Sequence, residues 1–173
     1  MNLQTRISSH FEQSSHLTSE LSALLPHSIE EAASIVVEAL LKEQKILICG
    51  TGGTAAIAQY LATLMLDRFD LERPGLAAVS LCSNSTALTA IAGENQFDQI
   101  FSKQIAALGL EGDVLLALCS HGDSTSVINA IRTANEQGVR VIALTGGDGG
   151  AMIEHLGEDG LHIGVPHDNT ARI

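Results

Sequence analysis

The sequence predicts a doubly wound α/β domain built on a parallel sheet, and three observations predict it. Short, largely apolar runs recur at Ile46–Cys49, Leu76–Leu81, Val114–Leu118, Val139–Leu144 and Leu161–Val165. Each has the length and composition of a strand buried on both faces. The stretches between them carry apolar residues at three- and four-residue spacing, the mark of amphipathic helices. Such strict alternation gives right-handed βαβ units and a parallel sheet. Thirdly, polar loops containing glycine follow strands one, three and four, at the edge where such sheets bind ligands.

Two helices precede the sheet. Leu3, Ile7, Phe11, Leu17, Leu21 and Leu24 mark the first, and Pro26 interrupts. Ser28-Ile29-Glu30-Glu31 fits a capping box for the second, whose stripe is Ile29, Ala32, Ala33, Val36, Val37 and Leu40. A helix pair outside the sheet needs a cover, which another subunit often supplies. Strand one then runs into Gly50-Thr51-Gly52-Gly53-Thr54, and a helix follows through Ile57, Leu61, Leu64 and Met65. Its first turn offers main-chain N–H groups and the positive end of a helix dipole to an anion. A plain strand-to-helix turn would use the same glycines.

Glu72-Arg73-Pro74-Gly75 marks the turn before strand two. Ala87–Ala92 is a short helical piece, broken by Gly93-Glu94-Asn95-Gln96. A further helix runs through Phe97, Ile100, Phe101, Ile105 and Leu108 to Gly109. After strand three comes Cys119-Ser120-His121-Gly122-Asp123-Ser124, then a helix through Val127, Ile128 and Ile131 that Gly138 ends. After strand four comes Thr145-Gly146-Gly147-Asp148-Gly149-Gly150, and Met152–Leu156 is a short helix. Pro166–Ile173 carries little pattern.

At 173 residues and 45% apolar, the chain has the size and composition of one domain with a substantial core. Its formal charge of −11 argues against direct nucleic-acid binding, and 3% aromatic residues without Trp leave no platform for stacking bases. No apolar run is long enough for a membrane span. The polar stretch from Met1 to His16 lacks the pattern of a signal peptide, so a cytoplasmic location is expected. Cys49, Cys82 and Cys119 are odd in number and sit beside apolar runs, which predicts buried free thiols. His155, His162 and His167 have no metal-ligand spacing, and neither a metal nor another cofactor is expected. Ser120, His121 and Asp123 are too close in sequence for a catalytic relay.

Several motifs, in order, resemble the sugar isomerase (SIS) domain family: Cys49–Thr54, Glu72–Pro74, Glu111–Leu116, Ser120–Ser124 and Leu144–Gly150. The resemblance covers essentially the whole chain. It points to the branch holding phosphoheptose isomerase and the DnaA initiator-associating protein DiaA. It implies a flavodoxin-like, three-layer, five-stranded sheet and a homo-oligomer, dimer or tetramer, with phosphosugar pockets at subunit interfaces. Residues 1–43 would then be the oligomerising helices and 44–173 the sheet core, all in a single SIS domain. The implied phosphosugar contacts are Thr51, Gly52, Gly53, Thr54, Glu94, Ser120, His121, Gly122 and Ser124.

Within the branch, the isomerases carry a His and a Glu where this chain has Tyr60 and Leu64, neither suited to act as a general base or typical metal ligand. They also continue past Arg-Ile into a helix bearing a catalytic His, and have an Asp where Ala171 stands. Ala55–Gln59, Asp67–Phe69, Ala87–Ala92 and Thr170–Ile173 look closer to DiaA. The expectation is therefore a non-catalytic SIS protein, binding a phosphosugar-like ligand and the DnaA initiator to regulate replication initiation. Phosphoheptose isomerase and a bare sugar-phosphate sensor are the alternatives. In the second loop Cys119 is a poorer donor than a hydroxyl, and Asp123 would repel a phosphate if it pointed inward.

Overall fold

The structure, a computed structural model, describes residues 2–173. Helices α1 (Leu3–Leu24) and α2 (Pro26–Leu41) lead into β1 (Ile46–Gly50) and α3 (Gly53–Leu66). Next come β2 (Ala78–Ser80), α4 (Ser85–Gly93), a 3-10 turn (Phe97–Gln99), α5 (Ser102–Leu108) and β3 (Val114–Cys119). The chain continues through α6 (Thr125–Glu136), β4 (Arg140–Gly146), a second 3-10 turn (Gly150–His155) and β5 (Leu161–Val165). All five strands are parallel, in the order β2-β1-β3-β4-β5. The doubly wound, flavodoxin-like sheet with two leading helices is thus as expected.

β1 lies at the centre of the topology. Every residue of it is buried, because β2 and β3 flank it and helices cover it. β2 leaves β1 in one direction and β3 in the other. The carboxyl ends of β1 and β3 are therefore the point where strand order reverses, and a crevice opens there. Right-handed crossovers put α3 on one face, where α2 also packs on β1, β3 and β5. On the other face α6 packs on β3 and β4 and meets α5 and both 3-10 turns. Val127, Ala130, Ile131 and Ala134 of α6 are wholly buried.

Four elements differ from expectation for local reasons. Strand two is only Ala78–Ser80, because it is an edge strand paired with Ile46–Ile48 alone. The helix expected from Phe97 begins at Ser102, and Phe97–Gln99 forms a 3-10 turn. Met152–Leu156 belongs to another 3-10 turn, which starts at Gly150. The Ser28 capping box does not form. α2 starts three residues earlier than a Ser28 cap would set it, with Pro26 in its first turn and the Ile29 N–H donating to the Leu25 carbonyl. Proline suits that place because its missing N–H has no partner there.

A buried ion pair fixes the amino edge of the sheet. Asp113 is fully buried, and Lys45 Nζ lies 2.5 Å from its Oδ2. The same carboxylate accepts from the Lys45 N–H at 2.9 Å and the Leu110 N–H at 2.8 Å. Main-chain bonds from Val114 to Lys45 and from Arg140 to Asp113 continue the ladder across β1, β3 and β4. Cys49, Cys82 and Cys119 are buried free thiols, and burial pushes the first two above the ordinary thiol range. No helix among the described residues is long and apolar enough to cross a membrane.

Removing the Asp113 carboxylate would strand the Lys45 ammonium and two main-chain N–H groups. Asp113→Ala is expected to cost about 3 kcal/mol of folding stability. Urea denaturation should show the midpoint falling with little change in slope.

Candidate functional site

The crevice at the carboxyl ends of β1 and β3 brings together the loops singled out in the sequence. A Cβ on Gly50 would lie 2.7–2.8 Å from Thr54 atoms, so only glycine lets α3 start this close to the strand. The Thr54 hydroxyl accepts from the Thr51 N–H at 2.9 Å. It also lies 2.9 Å from the Thr51 carbonyl and 3.1 Å from the Leu118 carbonyl, either of which can take its proton. This hydroxyl latches the first loop to β3, and what Thr54 can still offer a ligand is its main-chain N–H. Gly52 and Gly53 face open space, and Gly52 has φ of +60°. The N–H groups of this first turn have no partner within the helix.

From the second loop, Ser124 reaches the same place. Thr51 Oγ1 and Ser124 Oγ lie 3.5 Å apart, and Ser124 Oγ is 3.1 Å from Ser126 Oγ. Ser124 is the N-cap of α6, so two helix N-termini and a cluster of hydroxyls converge. That arrangement suits an anion such as a phosphate. Ser120 is half-buried and helps line an apolar cavity of about 110 Å3 with Thr54, Ile57, Thr145 and Ile173. His121 is exposed. Gly122 is buried with φ of +75°, and a Cβ there would overlap the Gly149 carbonyl. It therefore packs on the third loop.

Glu94 caps the end of α4, exposed, with Lys103 Nζ 3.7 Å from its carboxylate. The residues after it wall a second cavity, of about 460 Å3, lined by Asn95, Phe97, Asp98, Ser124, Thr125 and Ser126. Ser124 thus faces both the cradle and this space. Sequence reasoning did not reach Thr125 and Ser126, although three consecutive hydroxyl residues at a helix start were a visible signal. It missed Lys103 because the pairing spans two elements.

Asp123 does not point at the cradle. Its Oδ1 accepts from the Ala151 N–H at 3.0 Å, on the third loop. Tyr60 and Leu64 lie on α3 about 10 and 16 Å along the axis from its first residue. Tyr60 is 60% exposed and Leu64 is half-buried. Neither fits a metal ion, and among the described residues no group of three or more His, Cys, Asp or Glu side chains is placed to hold one.

A SIS domain family model matches residues 9–146. The phosphoheptose isomerase of Laribacter hongkongensis is 47% identical over 173 residues, all of this chain and 88% of the relative. That of Aromatoleum aromaticum is also 47% identical, over all of this chain and 87% of the relative. Among solved structures, the phosphoheptose isomerase of Neisseria gonorrhoeae superposes with a TM-score of 0.92 at 42% identity. That of Francisella tularensis does so with a TM-score of 0.95 at 39% identity. Each superposition covers 99% of this chain and 90% of the other.

These findings overturn the expected placement beside DiaA, and with it the expected role as a non-catalytic partner of the DnaA initiator. The segments that favoured it are short. Asp67–Phe69 and Thr170–Ala171 are exposed, where residues are only weakly constrained by packing. The likeness to phosphoheptose isomerases extends over the whole chain. The expectation of a non-catalytic chain falls for the same reason: it rested on Tyr60, Leu64 and a few short segments, against likeness along all 173 residues.

Near the site, His162 on β5 has its Nε2 2.8 Å from the buried Thr145 hydroxyl, and burial pushes the imidazole below its ordinary value. An unfolded His takes up a proton near pH 6.5. The folded chain takes it up only at lower pH, so this contribution to stability is complete above about pH 6.5 and is lost as pH falls through the folded value. Denaturant midpoints at pH 7 and pH 5 should therefore differ more in the wild type than in His162→Gln.

Proposed function

Because the chain belongs to the SIS domain family, in its phosphoheptose isomerase branch, we propose that it isomerises a phosphorylated seven-carbon sugar, sedoheptulose 7-phosphate, in the cytoplasm. The observation that carries this reading is identity of 43–47% to phosphoheptose isomerases along the full chain. The converging Thr51 and Ser124 hydroxyls support it.

In this reading the phosphate sits on the Thr51–Thr54 turn and the start of α6. The N–H groups of Gly52, Gly53 and Thr54 and the hydroxyls of Thr51 and Ser124 hold it, with Ser120, His121 and Gly122 shaping the second loop. The sugar then runs into the cavity beside Asn95, Phe97 and Asp98. Ketose–aldose interconversion moves a proton between adjacent carbons and another between their oxygens, with no net oxidation. A base must take the carbon-bound proton and return it one carbon away. In this reading Glu94, adjacent in sequence to the cavity-lining Asn95, is the carboxylate that does so, and Lys103 beside it balances the charge.

The purified chain should convert sedoheptulose 7-phosphate to an aldose clearly above a no-enzyme control; equal rates would end this reading. Glu94→Gln should lower kcat by roughly 100-fold or more with little change in KM. Ser124→Ala should mainly raise KM, since phosphate contacts are made equally in ground and transition states.

The same reading includes a homo-oligomer held by residues 1–43, a dimer or tetramer. On α1 only Leu17 is buried, whereas Leu3 is 69%, Ile7 48% and Phe11 75% exposed. An apolar face of that extent supports association. Light scattering should find at least a dimer, and Phe11→Asp should shift it toward monomer.

A further inference from the structure

The second and third strand-to-helix loops are joined by contacts that the phosphate cradle itself does not use. The Ser120 carbonyl accepts from the Gly146 N–H at 3.0 Å, and the Gly122 carbonyl accepts from the Met152 N–H at 2.9 Å. The Asp123 carboxylate supplies the one side-chain link, taking the Ala151 N–H at 3.0 Å. Steric fit shows how closely the loops approach. A Cβ on Gly150 would lie 2.5 Å from the His121 carbonyl oxygen and 2.6 Å from Asp123 Oδ1. Gly149 and Gly150 both take positive φ, a conformation glycine adopts without strain. Asp123 is thus turned away from Ser124 and onto the first turn of the 3-10 segment.

We infer that Asp123 is a positioning residue: by capping the Ala151 N–H it holds the Ser120–Ser124 loop against the Gly146–Gly150 loop, and so sets Ser124 at its place opposite Thr51. This deepens the reading of Thr51 and Ser124 as phosphate contacts and rests on it. A short loop between β3 and α6 could relax in many ways. Only two main-chain bonds restrain it toward the third loop without Asp123. What the geometry requires at position 123 is an acceptor oxygen, and a negative charge there is incidental. An Asn side chain presents the same Oδ1, whereas Ala presents none.

The test compares wild type, Asp123→Asn and Asp123→Ala in inorganic phosphate binding by calorimetry, in steady-state kinetics and in hydrogen exchange at the Ala151 amide. Asp123→Ala should weaken phosphate binding by about fivefold, the order expected for losing one hydrogen-bonded restraint. It should also raise KM with kcat held, and lose protection at Ala151. Asp123→Asn should bind phosphate at least within twofold as tightly as wild type and keep the protection. A folding defect would instead lower kcat and the melting temperature with KM unchanged, and would overturn the inference. So would an Ala variant that binds phosphate as well as or better than wild type, or an Asn variant as weak as Ala. Wild type that binds no phosphate at 20 mM overturns it too. Failure of the isomerase reading shows separately, as absent turnover in a wild-type chain whose phosphate affinity still depends on position 123.

Discussion

The Asp113 carboxylate holds the amino edge of the sheet, and the geometry of the other edge follows from it. It is fully buried and answers three donors, two from Lys45 and one from Leu110. A charge this deep is tolerable only when paired and fully hydrogen-bonded. Its partners are the residue that enters β1 and the turn that enters β3. The two strands flanking the reversal of strand order are therefore pinned side by side at their origins. Their ladder then runs from Ile46 with Val114 to Gly50 with Leu118. Thr51 emerges level with Cys119, one residue before Ser120, because the register was set five residues earlier.

At the carboxyl edge the binding loops are held by small groups. Gly50 lets α3 come close enough for the Thr54 hydroxyl to reach β3. Gly122 and Gly149 let the second and third loops touch main chain to main chain. Loops built this way leave the Thr51 and Ser124 hydroxyls facing each other across the crevice. Such a site costs backbone entropy, since glycine loses the most freedom on folding. The compensating packing comes from wholly buried neighbours such as Leu115, Ile142 and Met152.

Placement within the family shows how differently local and distributed signals weigh. Tyr60, Leu64 and a few exposed segments suggested a chain that had left catalysis behind. They are a few short segments on α3, on α4 and in exposed stretches of the chain. Identity of 47% spread over all 173 residues reflects constraints at many sites at once. Under the proposed isomerase function, proton transfer falls to groups other than Tyr60 and Leu64, such as Glu94.

The sequence by itself determined the architecture. Short apolar runs located all five strands, because burial on both faces leaves few residue types available at Ile46–Cys49 or Val114–Leu118. Glycine and hydroxyl residues after strands marked two of the binding loops for the same local reason. Only the tertiary structure decided what each polar group in those loops does. Asp123 reads as a repulsive charge until Ala151 is beside it, and Thr54 reads as a ligand contact until its hydroxyl meets Leu118. Glu94 and Lys103 belong to different helices, so no spacing rule links them. Helix starts shifted where a competing local choice won, as at Pro26 over the Ser28 box. Hydrogen-bond partners are set by which loops the parallel sheet brings together, and that information is spread over the whole chain.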